Sequence, residues 1–89
     1  MSVLELLKLD LCLSSTARDT YLQALIDSAK QELNSRAVEI DETKLEDKML
    51  LSDYCAWKYR TRDKTQILPN NLKLRLNNKK VRNRLNSNG

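Results

Sequence analysis

Apolar residues recur every three or four positions through much of the chain, which is the spacing of one face of an α-helix. The clearest case is residues 15–36, STARDTYLQALIDSAKQELNSR. Its apolar face consists of Ala17, Tyr21, Leu22, Leu25, Ile26, Ala29 and Leu33. Ser15 or Thr16 can accept a hydrogen bond from the first turn, and Thr16 with Asp19 resembles a capping box. We predict a helix from about Ser15 to Ser35–Arg36.

Two further helices are predicted before and after it. Residues 2–8 form a short first helix, and residues 44–63, KLEDKMLLSDYCAWKYRTRD, form the third. The third is apolar around much of its circumference, which is typical of the central helix of a bundle or of a helix that also meets another subunit. Asp41 or Thr43, in the linker before it, is predicted to cap its start.

The segment after Pro69, NNLKLRLNNKKVRNRL, fits two periods. Leu72, Leu74 and Leu76 alternate as in a strand, whereas Leu72 and Leu76 are also spaced as in a helix. The proline at its start and the lack of a partner strand favour a short helix. We therefore predict an all-α fold, a small bundle of three to four helices with a basic C-terminal segment. A single domain covers residues 1–85, and residues 86–89 form a flexible polar tail.

Charge is distributed unevenly along the chain. Residues 1–57 hold six basic and eleven acidic side chains, a net of −5, whereas residues 58–89 hold ten basic and one acidic, a net of +9. This division indicates an acidic or phosphate-bearing partner, or the opposite end of another copy. So much positive charge would bind phosphates without sequence preference and with strong salt dependence.

Residues needed for most catalytic and metal sites are missing. The chain has no histidine, and its one glycine is the last residue, so we expect no enzyme, no cofactor and no metal site. The acids in EIDETKLED, residues 39–47, lack the EF-hand pattern and suit a solvated helix start. Cys12 and Cys55 form no CxxC pair; a single disulfide between them is the alternative, but we favour buried free thiols.

Neither a signal peptide nor a membrane span is predicted. Glu5, Lys8 and Asp10 interrupt the leucines of the first residues, so no continuous apolar h-region is present. No apolar run approaches the length that crosses a bilayer. We expect a soluble intracellular protein without a membrane partner.

Aromatic residues stand beside arginines in YCAWKYRTR, residues 54–62, as they do in single-stranded nucleic-acid binding proteins. Tyr54, Trp57 and Tyr59 also continue the helical apolar lines, and we favour that core interpretation. The positions predicted for the core or for a subunit interface are Tyr21, Leu22, Leu25, Ile26, Leu33, Met49, Leu50, Tyr54 and Trp57.

Three segments, taken in order, resemble the small head–tail connector proteins of tailed phages and prophages, also called adaptor or DNA-packaging proteins. LDLCLSSTARDTYLQALIDSAKQEL is similar to the family's opening, LLSDYCAWKYRTRD to its central helix, and ILPNNLKLRLNN to the segment that follows. The resemblance covers roughly residues 3–85. Many members carry a glycine after the second helix, where this chain has NSRAVEID.

The resemblance implies a structural role in the virion neck, for a protein made in the host cytoplasm. Such proteins form a homo-oligomeric ring of about a dozen copies under the portal protein, extend the DNA channel and dock the next neck or stopper protein. The basic segment would contact the portal, or double-stranded DNA without sequence preference. The residues expected to make these contacts are Lys73, Arg75, Lys79, Lys80, Arg82 and Arg84. Reversing the last four charges is expected to block head joining and leave the monomer folded.

A small basic DNA-binding regulator that acts as a dimer is the alternative. The short predicted helices and the sequence pI of about 9.2 support it. The link over residues 35–43 is, however, too long for the tight turn of a helix-turn-helix motif. A regulator would prefer its operator over random DNA by about 10³-fold or more, whereas a connector would show no preference.

Overall fold

Four helices make up the ordered framework of the computed structural model, which describes residues 1–64 and 67–87. They are α1 (Val3–Asp10), α2 (Asp19–Ser35), α3 (Leu45–Arg60) and α4 (Asn70–Ser87), and no strand occurs over these residues. The predicted small all-α bundle is therefore confirmed. α3 is central, because α1, α2 and α4 each pack against it, and α1 also contacts α2. None of these helices combines the length and the apolar character needed to cross a membrane.

The core follows the helical spacing seen in the sequence. It contains Val3, Leu7, Leu22, Ile26, Ala29, Leu33, Val38, Leu50, Leu51, Tyr54, Cys55, Ala56, Tyr59, Leu72 and Leu76. α3 contributes six of these side chains from several sides, which is why its apolar residues do not form a single stripe. Burial of one leucine-sized side chain stabilises the fold by about 1.5–3 kcal/mol.

Two residues predicted for the core or an interface lie outside the core. Tyr21 is 50% exposed and Met49 is 48% exposed. The apolar face of α2 is wider than the part of it that the neighbouring helices cover, and Tyr21 lies at its edge. Its ring makes an edge-to-face contact with Tyr59, with 6.2 Å between the ring centroids. Met49 lies two positions before the fully buried Leu51, which places it on the far side of α3. A subunit interface for these two residues stays a prediction.

The other seven predicted positions are inside or at the edge of the core. Leu25 and Trp57 are half-buried and pack against the buried cluster. The five buried ones are Leu22, Ile26, Leu33, Leu50 and Tyr54.

The predicted cap of α2 is wrong. The helix begins at Asp19, and Arg18 at its N-cap makes no side-chain capping bond. Ser15 instead accepts a hydrogen bond from the Ala17 amide (3.0 Å), so its hydroxyl stabilises a turn that competes with helix formation. A capping box does occur at α1, where the Ser2 hydroxyl accepts from the Glu5 amide and the Glu5 carboxylate accepts from the Ser2 amide.

The predicted cap of α3 is also wrong. Lys44 is its N-cap and forms no side-chain capping bond. The Asp41 carboxylate accepts hydrogen bonds from the Thr43 hydroxyl (2.5 Å) and amide (3.0 Å), and these bonds lower the pKa of Asp41 below its ordinary value. The linker thus satisfies its own polar groups rather than those of the helix.

Left-handed residues close the first two helices. Cys12 has φ 57° and Ala37 has φ 65°. After α2, the Ala37 amide bonds the Asn34 carbonyl and the Val38 amide bonds the Leu33 carbonyl, which is a Schellman motif. An alanine therefore takes the left-handed conformation that glycine adopts with the least strain.

The last helix is longer than predicted. α4 has 18 residues, and its backbone includes residues 86 and 87 of the predicted flexible tail. Residues 88–89 of that tail lie outside the described residues. Leu72 and Leu76 are buried while Leu74 is 61% exposed, so the helical spacing, and not the strand-like alternation, decides which leucines are inside.

Candidate interaction surface on the C-terminal helix

α4 lies along α3 and is held at both ends. The Lys73 amide donates to the Pro69 carbonyl (2.9 Å), which starts the helix directly after the proline. Leu72 and Leu76 are 5% and 8% exposed on its inner side. Near its end, the Asn83 side-chain oxygen accepts from the Glu39 amide (2.9 Å) and joins α4 to the linker between α2 and α3.

Three of the six basic residues predicted for DNA or portal contact bind acids of α3 instead. The ion pairs are Arg75–Asp53 (2.8 Å), Lys79–Asp47 (2.9 Å) and Arg82–Glu46 (3.2 Å). The protein itself thus neutralises half of the predicted contact set. Sequence patterns did not show this, because the acids lie about thirty positions earlier and meet α4 only in the folded chain.

The pair between Lys79 and Asp47 is the most buried of the three. The two side chains are 13% and 4% exposed, and Asp47 also accepts a hydrogen bond from the Asp41 amide (2.8 Å). Reversing the charge of Lys79 would place two carboxylates together away from water, which is costly. The fourfold charge reversal is therefore expected to damage the fold, contrary to the sequence-based expectation.

The other three predicted contact residues take no part in these three ion pairs. Lys73 and Arg84 are exposed and Lys80 is half-buried. Lys73 and Lys80 form no ion pair within the described part of the chain. Seven positions separate them, so they lie on one side of α4 and about 10 Å apart along its axis.

α4 also has a second apolar side, which α1, α2 and α3 leave uncovered. Leu74, Val81 and Leu85 are 61%, 45% and 66% exposed. Their spacing of seven and four residues places them on one line, roughly opposite the buried Leu72 and Leu76. We call these three residues the outer stripe. A helix that is apolar on two sides and covered on one is typical of an assembly surface.

The aromatic residues of YCAWKYRTR serve the core. Tyr54 is 1% and Tyr59 is 9% exposed, and the half-buried Trp57 donates its indole N–H to the Ile67 carbonyl (3.1 Å). The guanidinium of Arg62 lies 4.1 Å from the Tyr59 ring centroid. Because Tyr59 is engaged inside the monomer, this arginine–aromatic pair is not a stacking platform for bases.

A partly buried polar network joins α2 to α3. Glu32 accepts hydrogen bonds from the Tyr54 hydroxyl and from Lys58 (2.6 Å). Burial raises the pKa of Glu32, but the bonds from Lys58 and Tyr54 outweigh it and hold that pKa below its ordinary value. Burial also raises the pKa of Tyr54, and the neighbouring Glu32 carboxylate adds to the rise. Glu32 is therefore an ionised acceptor of two hydrogen bonds.

The two cysteines differ in their surroundings. Both are free, as predicted, but Cys12 is exposed and only Cys55 is buried. Cys12 is excluded from the core because it forms the left-handed corner after α1. Burial raises the pKa of the Cys55 thiol to about 12, so it stays neutral and unreactive at physiological pH.

Three acids around the start of α3 are engaged by a neighbouring group. Glu42 pairs with Lys30 (2.6 Å) and Glu46 pairs with Arg82, while Asp41 binds Thr43. Within the described residues, no group of three or more cysteine, aspartate or glutamate side chains is arranged to hold a metal ion. These acids therefore stabilise the linker and its contacts with α2 and α4.

Similarity to known proteins gives no further guide to the role of this surface. No protein-family model, no curated protein and no solved structure matches the chain.

Proposed function

We propose that the protein is a structural head–tail connector of a tailed phage or prophage, which forms a ring under the portal and extends the DNA channel. The observation that carries this proposal is the outer stripe of α4, Leu74, Val81 and Leu85, which the monomer leaves exposed. The order of the segments that resemble the connector family supports it, and so does the all-α bundle.

Ring closure requires two different surfaces on each copy, because the contact between neighbours is heterologous. The outer stripe supplies one apolar surface. The division of charge supplies complementarity, since residues 1–57 carry a net of −5 and residues 58–89 a net of +9. A neighbouring copy, the portal or the next neck protein is a suitable occupant.

Contact with DNA would be weaker than the total charge indicates. Arg75, Lys79 and Arg82 are occupied by acids of α3, so Lys73 and Lys80, which form no ion pair within the described residues, remain for phosphate contacts. A small number of phosphate contacts without base readout suits a channel through which DNA must slide.

Native mass spectrometry over a range of protein and salt concentrations tests the proposal. A closed species of about a dozen copies would support the connector, whereas a stable dimer would favour the regulator, since DNA-binding regulators are commonly two-fold dimers. If only a monomer is found, binding to tailless heads decides, because a portal can act as the template for the ring. Failure to bind heads would contradict the proposal.

A double variant, Leu74→Glu with Leu85→Glu, tests the outer stripe itself. Both side chains are exposed in the monomer, so the helix content by circular dichroism should not change, while assembly or head binding should be lost. The matched control is Leu9→Glu with Ile67→Glu, at two other apolar side chains that are 65% and 78% exposed. If the control variant loses assembly to the same extent, the outer stripe has no specific role.

A further inference from the structure

A second surface, separate from the outer stripe, lies between α4 and the end of α2. Here a groove of about 360 Å³ opens to solvent. Leu33 and Val38, from the end of α2 and its corner, meet Leu68 and Leu76 across it. Leu68 is only half-buried, so apolar surface remains accessible in the groove.

The rim of the groove carries three basic residues, Arg36, Lys73 and Lys80. None of the three forms an ion pair with an acid in the part of the chain that the structure describes. The three residues are distant in sequence, since Arg36 belongs to the acidic part of the chain and the two lysines belong to the basic part. The fold brings them together around one apolar depression.

The bases on the rim of the groove differ from those on the side of α4 that faces α3, where each base pairs with an acid of α3. Glu39 is the acidic residue closest in sequence to Arg36 on this linker, and its amide is bound by Asn83 of α4. The Glu39 side chain makes no ion pair with the rim within the described residues. Arg36 interacts at longer range with Glu32, one helical turn earlier on α2, whereas the positive charges of Lys73 and Lys80 are left for a group from outside the monomer.

We propose that this groove binds an acidic segment of a partner protein. Apolar side chains of that segment would lie against Leu68 and Leu76, and its carboxylates would pair with Arg36, Lys73 and Lys80. The two lysines are about 10 Å apart along α4, which matches carboxylates two turns apart on a helix. Salt bridges at an exposed rim would speed association and weaken with added salt.

The shape of the site favours a peptide over the other anionic partners. A phosphate backbone has no apolar group to cover the leucines of the groove, and the described residues that line the groove include no aromatic side chain on which an unpaired base could stack. A flat bilayer cannot reach apolar side chains that lie below a basic rim, because interfacial helices insert a protruding apolar face. The inference does not depend on the connector role, since the groove and the outer stripe are different surfaces.

Selection from a library of random peptides displayed on yeast, followed by amide NMR titration of the full-length protein with a selected synthetic peptide, tests the proposal. The enriched peptides should combine Asp or Glu with Leu, Ile or Val. Their binding should shift the amide signals of Val38, Leu68 and Leu76. Peptides without acids, no enrichment at all, or shifts confined to Leu74 and Leu85 would overturn it.

Charge reversal at the rim tests how much the basic residues contribute to the affinity for the peptide. Lys73→Glu with Lys80→Glu should weaken peptide binding about tenfold or more, because both side chains lie on the rim. The control, Lys44→Glu with Lys64→Glu, makes the same change in net charge at exposed positions outside the groove and should retain binding. Equal loss in both variants would show that only net charge matters and would refute the site.

Two further titrations identify other occupants. If the groove amides shift on concentrating the protein alone, a second copy occupies the groove and the partner proposal fails. If a short duplex DNA of random sequence shifts the same amides and displaces the peptide, the groove is a nucleic-acid site and the proposal also fails. Retained peptide binding in the presence of the duplex supports it.

Discussion

Cys12 and Ala37 hold backbone conformations that glycine adopts with the least strain. A left-handed residue with a Cβ atom costs roughly 1–2 kcal/mol relative to its ordinary conformation. Both residues end a helix, and their amides satisfy carbonyls that the last turn leaves open. Hydrogen bonds and the burial of Val38 thus stabilise the corners and offset the backbone strain of the left-handed residue.

Ala37→Gly is therefore expected to stabilise the protein. Relief of left-handed strain outweighs the greater backbone freedom of glycine in the unfolded chain, which costs about 0.4–1 kcal/mol, so the net gain is up to about 1 kcal/mol. Urea unfolding measures it. Ala24→Gly, at an exposed position inside α2, is the control and should lose about 1 kcal/mol. Loss of stability in both variants would argue against the left-handed corner.

Glu32 should give the stability a dependence on pH. Its pKa is lower in the folded state than in the unfolded chain, so its contribution is complete above the unfolded pKa and disappears as the pH falls through the folded one. The difference in unfolding free energy between wild type and Glu32→Gln should be largest at neutral pH and should shrink below about pH 4. Chemical denaturation at several pH values measures it. The exposed Glu39→Gln is the control; a constant difference for Glu32→Gln would contradict the assignment.

At the scale of the element, α3 is the helix that holds α4 in place, with one further hydrogen bond from the linker before α3. α4 packs on α3 through Leu72 and Leu76, and the three ion pairs to α3 differ greatly in burial. Lys79 and Asp47 are nearly enclosed, whereas the Arg82 and Glu46 side chains are 59% and 73% exposed. Equal charge changes along this helix therefore have unequal consequences.

Lys79→Glu is expected to destabilise the protein by about 3–5 kcal/mol, because it leaves Asp47 buried beside a second carboxylate. Arg82→Glu changes a pair in contact with water and should cost about 1 kcal/mol or less. Thermal or urea unfolding of the two variants measures the difference. Similar losses for both would show that the Lys79 pair is no more enclosed than the Arg82 pair.

The sequence predicted the parts of the fold that depend on local spacing. The three-four recurrence of Leu22, Ile26 and Leu33 places α2, and the apolar circumference of the third helix predicts that α3 is central. The start of α2 was misplaced because Ser15 bonds a nearby amide outside a helix. The burial of Lys79 and the position of Arg36 on the groove had no local signal, since each depends on a residue distant in sequence.

For the whole molecule, the distribution of charge on the surface differs from the distribution along the chain, because folding brings acidic and basic segments together. Pairs between α3 and α4 neutralise part of the basic segment, while Lys73 and Lys80 of that segment lie with Arg36 on the rim of the groove. The molecule thus presents an apolar surface, the outer stripe, and a separate groove that combines apolar and positive groups. The connector proposal concerns the first of these, and the acidic-peptide proposal the second.

Because one cysteine is exposed and the other is buried, the rate of thiol labelling reports how often the folded protein opens. At neutral pH, a thiol reagent should label Cys12 rapidly, while Cys55, fully buried and with its pKa raised to about 12, should react only when the core opens. Mass spectrometry of the quenched reaction measures both rates. Rapid labelling of Cys55 in the native protein would contradict its burial.

The slow labelling rate then measures the free energy of opening around the centre of the bundle. The fast rate reports whether a neighbouring molecule shields the corner after α1. One chain without substitutions thus allows the stability of the core and the formation of an assembly to be followed in the same experiment.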